Sequence, residues 1–261
     1  MKFYKYQGTG NDFIIFDDRE EKFPLHDTKL IARLCDRRFG IGADGLMLLR
    51  NEPGYDFRMI YYNADGNESS MCGNGGRCMA RFAQSLGIIK NHTTFIATDG
   101  SHEAKLDDQV VQLKMQDVSG VESHENYAIL NTGSPHYVLS AADAQNMNII
   151  APAKDIRYNE TFRKEGINVN FIEWKDSFLY VRTYERGVED ETLSCGTGVT
   201  AAAIAHSIMS KTLSGSPQQI PILTPGGQLE VHFQYLKDAN KFVEVWLIGP
   251  AKLVFSGEVN F

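Results

Sequence analysis

Met71-Cys72-Gly73-Asn74-Gly75-Gly76-Arg77-Cys78 is the stretch from which the fold is read. A cysteine enters a Gly-x-Gly turn, and Met79, Phe82, Ala83 and Leu86 then fall at i, i+3, i+4 and i+7, the spacing of a helix with one apolar face. Gly87 is a natural stop. Cys72 is therefore expected at a helix N-terminus. There, N–H groups without intrahelical partners and the helix dipole favour negative charge and lower a thiol pKa.

The device occurs twice. Ser194-Cys195-Gly196-Thr197-Gly198 leads into Val199-Thr200-Ala201-Ala202-Ala203-Ile204-Ala205-His206, again Cys-Gly-x-Gly followed by a helix. A strand-like run ends before each cysteine, Met59-Ile60-Tyr61-Tyr62 in one copy and Leu179 to Glu185 in the other, and a polar loop follows each. Two strand–loop–Cys-Gly-x-Gly–helix units predict two related domains carrying one thiol apiece.

Working outward, 261 residues suit about two domains, and 43% apolar with 23% charged residues is the composition of a globular protein. A net charge of -7 with no Lys/Arg cluster argues against a nucleic-acid partner. The start, Met1-Lys2-Phe3-Tyr4-Lys5-Tyr6, lacks the apolar run of a signal peptide, and no stretch approaches a membrane span. The expectation is a cytoplasmic protein whose four cysteines, Cys35, Cys72, Cys78 and Cys195, are reduced thiols. No Cys-x2-Cys or His-Glu-x-x-His spacing calls for a metal.

Strands are expected at Phe3–Tyr6, Phe13–Phe16, Leu46–Leu49, Thr94–Ala97 and Val110–Met115, with a helix over Thr28–Arg38. Gly8-Thr9-Gly10 is followed by strand residues rather than a helix, so it is not a dinucleotide loop. Asp117-Val118-Ser119-Gly120 reads as a linker. Beyond it come strands at Tyr127–Leu130, Tyr137–Leu139, Ile167–Glu173 and Leu179–Glu185, and a short helix over Asp143–Ile149. Four more strands follow, at Ile220–Leu223, Gly227–Phe233, Val243–Leu247 and Leu253–Phe255. Strands in runs with few helices between them predict α+β architecture with largely antiparallel sheets.

Two poised thiols have a joint use. One removes a proton from carbon and the other returns one on the opposite face, so a stereocentre is inverted. An amino-acid Cα–H is a very weak acid, and backbone N–H groups at two helix N-termini suit the carboxylate on which the carbanion's charge builds. No pyridoxal lysine motif or other electron sink is visible, so the chemistry is expected to need no cofactor. Against this stand ordinary readings: buried structural cysteines for Cys72 and Cys195, a surface ion pair for Glu185-Arg186, a turn histidine for His136, and conformational turn asparagines for Asn11, Asn63 and Asn168.

Several motifs taken together resemble the diaminopimelate epimerase family. They are Gly8-Thr9-Gly10-Asn11-Asp12-Phe13, Tyr62-Asn63-Ala64-Asp65-Gly66, Met71 to Cys78, Glu185-Arg186-Gly187 and Glu191-Thr192-Leu193-Ser194-Cys195-Gly196-Thr197-Gly198, and the likeness covers essentially the whole chain. It implies two similar domains, each a curled sheet around a central helix, with the active site in the cleft between them. Residues 1–117 with a returning strand at 254–261 would form one domain, and 118–253 the other. It implies cofactor-independent interconversion of L,L- and meso-diaminopimelate in lysine and cell-wall precursor synthesis, by a homodimer. Cys72 and Cys195 would be the acid/base pair. Gly73, Asn74, Gly196 and Thr197 would bind the reacting carboxylate, and Asn11, Asn63, Asn168, Glu185 and Arg186 the amino groups and distal end. His136 would support the site beside Glu185.

Two features depart from the family pattern. Ser134 stands where Gly-Asn-Pro-His usually has asparagine, and the loop Gly187–Thr192 is one residue longer than usual. Both bear on distal-end binding. The rival readings are a proline or hydroxyproline racemase, a thiol hydrolase using one cysteine with His136, and a non-enzymatic amino-acid-binding module. Those racemases carry Cys-Gly-His where this chain has Cys72-Gly73-Asn74 and lack its Asn63-Ala64-Asp65-Gly66 pattern, and an asparagine-rich distal site suits a long zwitterion better than a proline ring.

Overall fold

The structure, a computed structural model, describes residues 1–261. It divides into two compact units, Met1–Leu113 together with Gly249–Phe261, and Lys114–Ile248.

In the first unit a sheet wraps one helix. Strand Lys2–Gly8 pairs antiparallel with Asn11–Asp17 through the tight Thr9-Gly10 turn, where both residues have positive φ. Asn11–Asp17 runs parallel to Gly45–Arg50, which pairs antiparallel with Arg58–Asn63. The chain's last strand, Lys252–Glu258, returns to pair antiparallel with the first. Strands Asn11–Asp17 and Gly45–Arg50 are almost wholly buried, because one face meets helix α2 (Gly73–Ser85) and the other meets helix α1 (Thr28–Cys35). Met79, Phe82 and Ala83 of α2 are buried as their spacing predicts, and Gly87 beyond its end has φ 73°. Phe3, Ile14, Phe16, Ile31, Leu34 and Leu48 make the core on the α1 side.

The second unit repeats the plan. Tyr127–Asn131 pairs antiparallel with Pro135–Ser140, which runs parallel to Asn168–Lys175; that strand pairs antiparallel with Phe178–Glu185. Phe178–Glu185 runs parallel to Gln218–Thr224, and Gly227–Leu236 and Lys241–Gly249 continue the sheet antiparallel. Helix α3 (Ile150–Arg157) packs outside. Helix α4 (Gly196–Met209) lies within the sheet and is buried on nearly every side, which its Ala-rich sequence permits.

Three expectations need correction. Helix α1 stops at Cys35 rather than Arg38: Asp36 is extended, and its Oδ1 accepts from the N–H groups of Arg38 and Phe39, both at 2.7 Å, a local bond that competes with the helix. Asp143–Ile149 forms turns, and the helix lies just after it, at Ile150–Arg157. Pro152 sits in that helix's first turn, where a missing N–H costs nothing, and Asn148 Oδ1 accepts from Ile150 N at 3.0 Å. Val118-Ser119, expected within a linker, pairs as a short strand with Lys241-Phe242.

Candidate active site

The predicted residues gather into two groups, one in each unit, and each group is built on a cysteine that N-caps a helix. Cys72 precedes α2 in an extended conformation, and the first intrahelical bond runs from Gly76 N to Cys72 O at 2.8 Å. Cys195 precedes α4 in the same way, with Val199 N to Cys195 O at 2.9 Å. Neither cysteine caps its helix through its own side chain, and the N–H groups that follow lie ahead of the first helical bond. The glycines let neighbours approach closely: a Cβ on Gly75 would meet Met47 Sδ at 3.1 Å, and one on Gly76 would meet Met71 Sδ at 2.9 Å, so either methionine would have to shift.

In the first unit Asn11 begins its strand and stands beside the cysteine. Cys72 Sγ donates to Asn11 Oδ1 at 3.6 Å, and Asn74 Nδ2 donates to the same oxygen at 3.3 Å. Asn11 Nδ2 donates to Asp44 Oδ2 at 2.7 Å, so the orientation of its amide is fixed at both ends. Asp44 is held in turn by Arg37, which also forks onto Asp12 at 2.9 and 2.7 Å. Burial works against the Asp12 carboxylate, but the hydrogen bonds from Arg37 and Lys5 outweigh it and hold the group well below the usual carboxylate range. Asn63 ends its strand opposite Gly45, which is opposite Phe13, so it lies at the same end of the sheet as Asn11. Its side chain is exposed, and the turn after it needs Gly66, whose φ is 89°.

In the second unit His136, Asn168 and Glu185 end or begin three neighbouring strands at one level. Asn168 Oδ1 accepts from Arg186 N at 2.8 Å. Glu185 Oε2 accepts from Thr192 Oγ1 at 2.9 Å. Arg186 donates to Glu165 O at 3.1 Å and reaches Ser134 Oγ at 3.5 Å.

His136 is wholly buried, and desolvation, reinforced by the Arg186 charge, pushes its pKa down to about 3. The imidazole is therefore neutral at pH 7, and its neighbours select the tautomer. Asn170 Nδ2 donates to Tyr137 O at 3.2 Å, and its other N–H points to His136 Nδ1 at 3.1 Å. Nδ1 is thus the acceptor, and Nε2 carries the proton and donates to Thr197 Oγ1 at 2.9 Å. Asn168 Nδ2, 3.5 Å from the same Nε2, is too distant to compete. The Thr197 hydroxyl proton is then directed at Cys195 Sγ, 3.5 Å away. The chain Asn170–His136–Thr197–Cys195 can stabilise negative charge on sulfur without a cationic histidine.

The other two cysteines are unlike these. Burial pushes Cys35 and Cys78 up to about 12 each, which leaves them as core thiols. No group of three or more His, Cys, Asp or Glu side chains is placed to hold a metal ion. No helix is long and apolar enough to cross a membrane.

Residues that the sequence reading missed complete both groups: Thr132, which donates to Thr197 O, Asn170 behind His136 with Thr183 donating to it, and Arg77, which donates to Asn74. Asn170 had a signal, since Asn168 and Asn170 alternate within an apolar strand, and both prove buried. Glu189 was also missed. It holds the longer loop by accepting from Arg157 at 2.9 Å and Tyr158 at 2.7 Å.

The fold is shared widely. A phenazine biosynthesis protein of the PhzF family from Bacillus anthracis superposes with a TM-score of 0.79 at 12% identity over 100% of this chain and 99% of that one. A hydroxyproline epimerase from Agrobacterium vitis superposes with a TM-score of 0.69 at 14% identity, over 98% and 91%. At such identities these likenesses concern architecture alone. Sequence is more specific. The chain is 52% identical to a diaminopimelate epimerase of Flavobacterium psychrophilum over 98% of both chains, and 40% identical to one of Chlorobaculum tepidum over 97% and 99%. The model of the diaminopimelate epimerase family matches residues 3–120 and 128–254. With that coverage and those identities, the chain belongs to the diaminopimelate epimerase family and is an isomerase.

Proposed function

We propose that the protein interconverts L,L- and meso-2,6-diaminopimelate without a cofactor, by a two-base exchange of the Cα proton between Cys72 and Cys195. One sulfur, as thiolate, takes the proton and becomes a thiol. The other, a thiol, gives its proton to the opposite face of the same carbon and becomes the thiolate. The centre is inverted, and the negative charge has passed from one sulfur to the other, so the protein ends each turnover ready for the reverse reaction. Between the two steps the electrons rest on the substrate carboxylate. The N–H groups of Gly73 and Asn74 and of Gly196 and Thr197, at the two helix starts, bind it more strongly as its charge grows.

The observation that carries this reading is the cysteine-capped helix start occurring twice, each with a neutral polar partner for sulfur: the Asn11 carbonyl at 3.6 Å and the Thr197 hydroxyl at 3.5 Å. Asn11, Asn63, Asn168, Glu185 and Arg186 hold the amino groups and the distal end. Ser134 is shorter than the asparagine of the family pattern and offers the distal end fewer hydrogen bonds; its Oγ lies 3.5 Å from the Arg186 guanidinium. A homodimer in the cytoplasm, in lysine and peptidoglycan precursor synthesis, belongs to the same reading.

The test is incubation with L,L-diaminopimelate in heavy water with no added cofactor, followed by NMR. Deuterium appears at Cα together with the meso isomer. Ligand that binds yet stays unlabelled would overturn the proposal and leave a binding module; label without inversion would leave a one-base exchange.

A further inference from the structure

Arg77 is completely buried on the first turns of α2, two turns or fewer from Cys72, and forms no ion pair with any carboxylate. Its Nη2 donates to Asn74 Oδ1 at 3.1 Å and reaches Thr9 Oγ1 at 3.4 Å, and its Nη1 reaches Gly73 O at 3.4 Å. Its Nε has no hydrogen-bond partner. All the bonds it makes are to neutral oxygens, and the longest are weak. A guanidinium in that setting lacks the counter-charge that buried cations ordinarily have.

The ionisable groups whose charge acts on it are two thiols, Cys78 and Cys72. Cys78, next to it on α2, is held neutral by burial, which pushes it up to about 12. Cys72 remains, at the head of the same helix. The carboxylates of Asp12 and Asp44 are engaged by Arg37, Lys5 and Asn11, and that of Asp99 accepts from Met71 N at 3.2 Å and pairs with His102. The guanidinium also begins a chain of amides. It draws Asn74 Oδ1 toward itself, which turns Asn74 Nδ2 to Asn11 Oδ1 at 3.3 Å, the oxygen that receives the Cys72 proton at 3.6 Å.

We propose that Arg77 is a positioning residue whose missing counter-ion is the anion formed at the Cys72 turn. It lowers the cost of ionising Cys72 and sets the two amides that hold the thiol proton beforehand. The Asn11 carbonyl keeps the resting sulfur protonated, while the buried cation and the helix start make loss of that proton easier. The coupling is reciprocal: an anion at Cys72 must steady Arg77 by as much as Arg77 steadies the anion. The proposal does not need the substrate to be diaminopimelate, because it concerns the ionisation of one thiol.

The test is the pH dependence of alkylation of Cys72 by iodoacetamide in the full-length protein, read by peptide mass mapping so that each cysteine is followed separately. In the parent protein the midpoint lies below the ordinary thiol value of about 8.5. Arg77→Gln and Arg77→Met raise it by about one unit, so Cys72 reacts roughly tenfold more slowly at pH 7. Arg77→Lys, which keeps the charge, stays closer to the parent than either. Cys195 midpoints do not move in any variant. A folded Arg77→Gln or Arg77→Met protein with the parent's Cys72 midpoint overturns the proposal. If neither variant folds, a parent midpoint at or above about 8.5 overturns it just as well.

Discussion

Replacing Gly198 by alanine sets two effects against each other. Gly198 has ordinary helical backbone in the first turn of α4, so helix propensity alone predicts that alanine stabilises the protein by about 0.5–1 kcal/mol. Packing predicts the opposite. A Cβ there would meet Asn170 Oδ1 at 2.6 Å, with Cys195 Cβ and Thr183 Oγ1 each at 3.2 Å. Asn170 cannot yield freely, because Oδ1 accepts from Thr183 and Nδ2 donates to His136 and Tyr137. Overpacking of this kind costs about 1–3 kcal/mol. Leaving a buried amide or imidazole group unsatisfied adds about 1–3 kcal/mol. The clash wins, and Gly198→Ala destabilises by about 1–5 kcal/mol once propensity is set against it. Urea unfolding followed by circular dichroism measures this, with Gly215→Ala, where a Cβ meets nothing within 4 Å, as the neutral control. Epimerisation should fall by roughly 10²-fold, because Cys195 and the Thr197 hydroxyl shift with the turn. A Gly198→Ala protein as stable as the parent or more so would show that propensity prevails and that the Asn170 network is slack.

Two further predictions follow from particular side chains. His136 has its folded pKa lowered to about 3, whereas in the unfolded chain it titrates near 6.5, so the unfolded state binds the extra proton first as pH falls. Stability from this residue is complete above about pH 6.5 and is lost between there and about pH 3, at up to about 1.4 kcal/mol per pH unit. In His136→Gln the unfolding free energy, measured across that window, should fall with a slope shallower by up to one proton; an unchanged slope would refute the neutral imidazole. Glu189→Ala leaves Arg157, whose Nε and Nη1 already lack partners, without its carboxylate. Because the Glu189 side chain is 32% exposed, the expected loss is about 1–3 kcal/mol rather than the full cost of breaking a buried pair. A loss under about 0.5 kcal/mol in denaturant titration would mean that the loop is not held by this contact.

Much of the architecture was legible from periodicity. The apolar spacing after Cys72 gave α2, and the Cys-Gly-x-Gly turns placed both cysteines at helix starts. The misplaced pieces are those where local polar bonds overrule spacing. Asp36 cuts α1 by accepting from two N–H groups, and Arg37, freed from the helix, turns to Asp12 and Asp44. Helix α3 lies just past the expected Asp143–Ile149, where Asn148 Oδ1 accepts from Ile150 N and starts the helix later than apolar spacing suggests. The candidate site's residue types were read from motifs; how they are wired to one another was not. That Asn170 fixes the tautomer of His136, or that Arg77 is buried without a carboxylate, depends on partners distant in the chain.

The central claim is that two sulfurs share one proton-transfer reaction, and single substitution of each tests it most directly. Cys72→Ala and Cys195→Ala should each keep the fold by circular dichroism yet lose L,L-to-meso conversion of diaminopimelate in heavy water, since either change removes the proton carrier of one face. Near-normal turnover in either variant would contradict the two-base account.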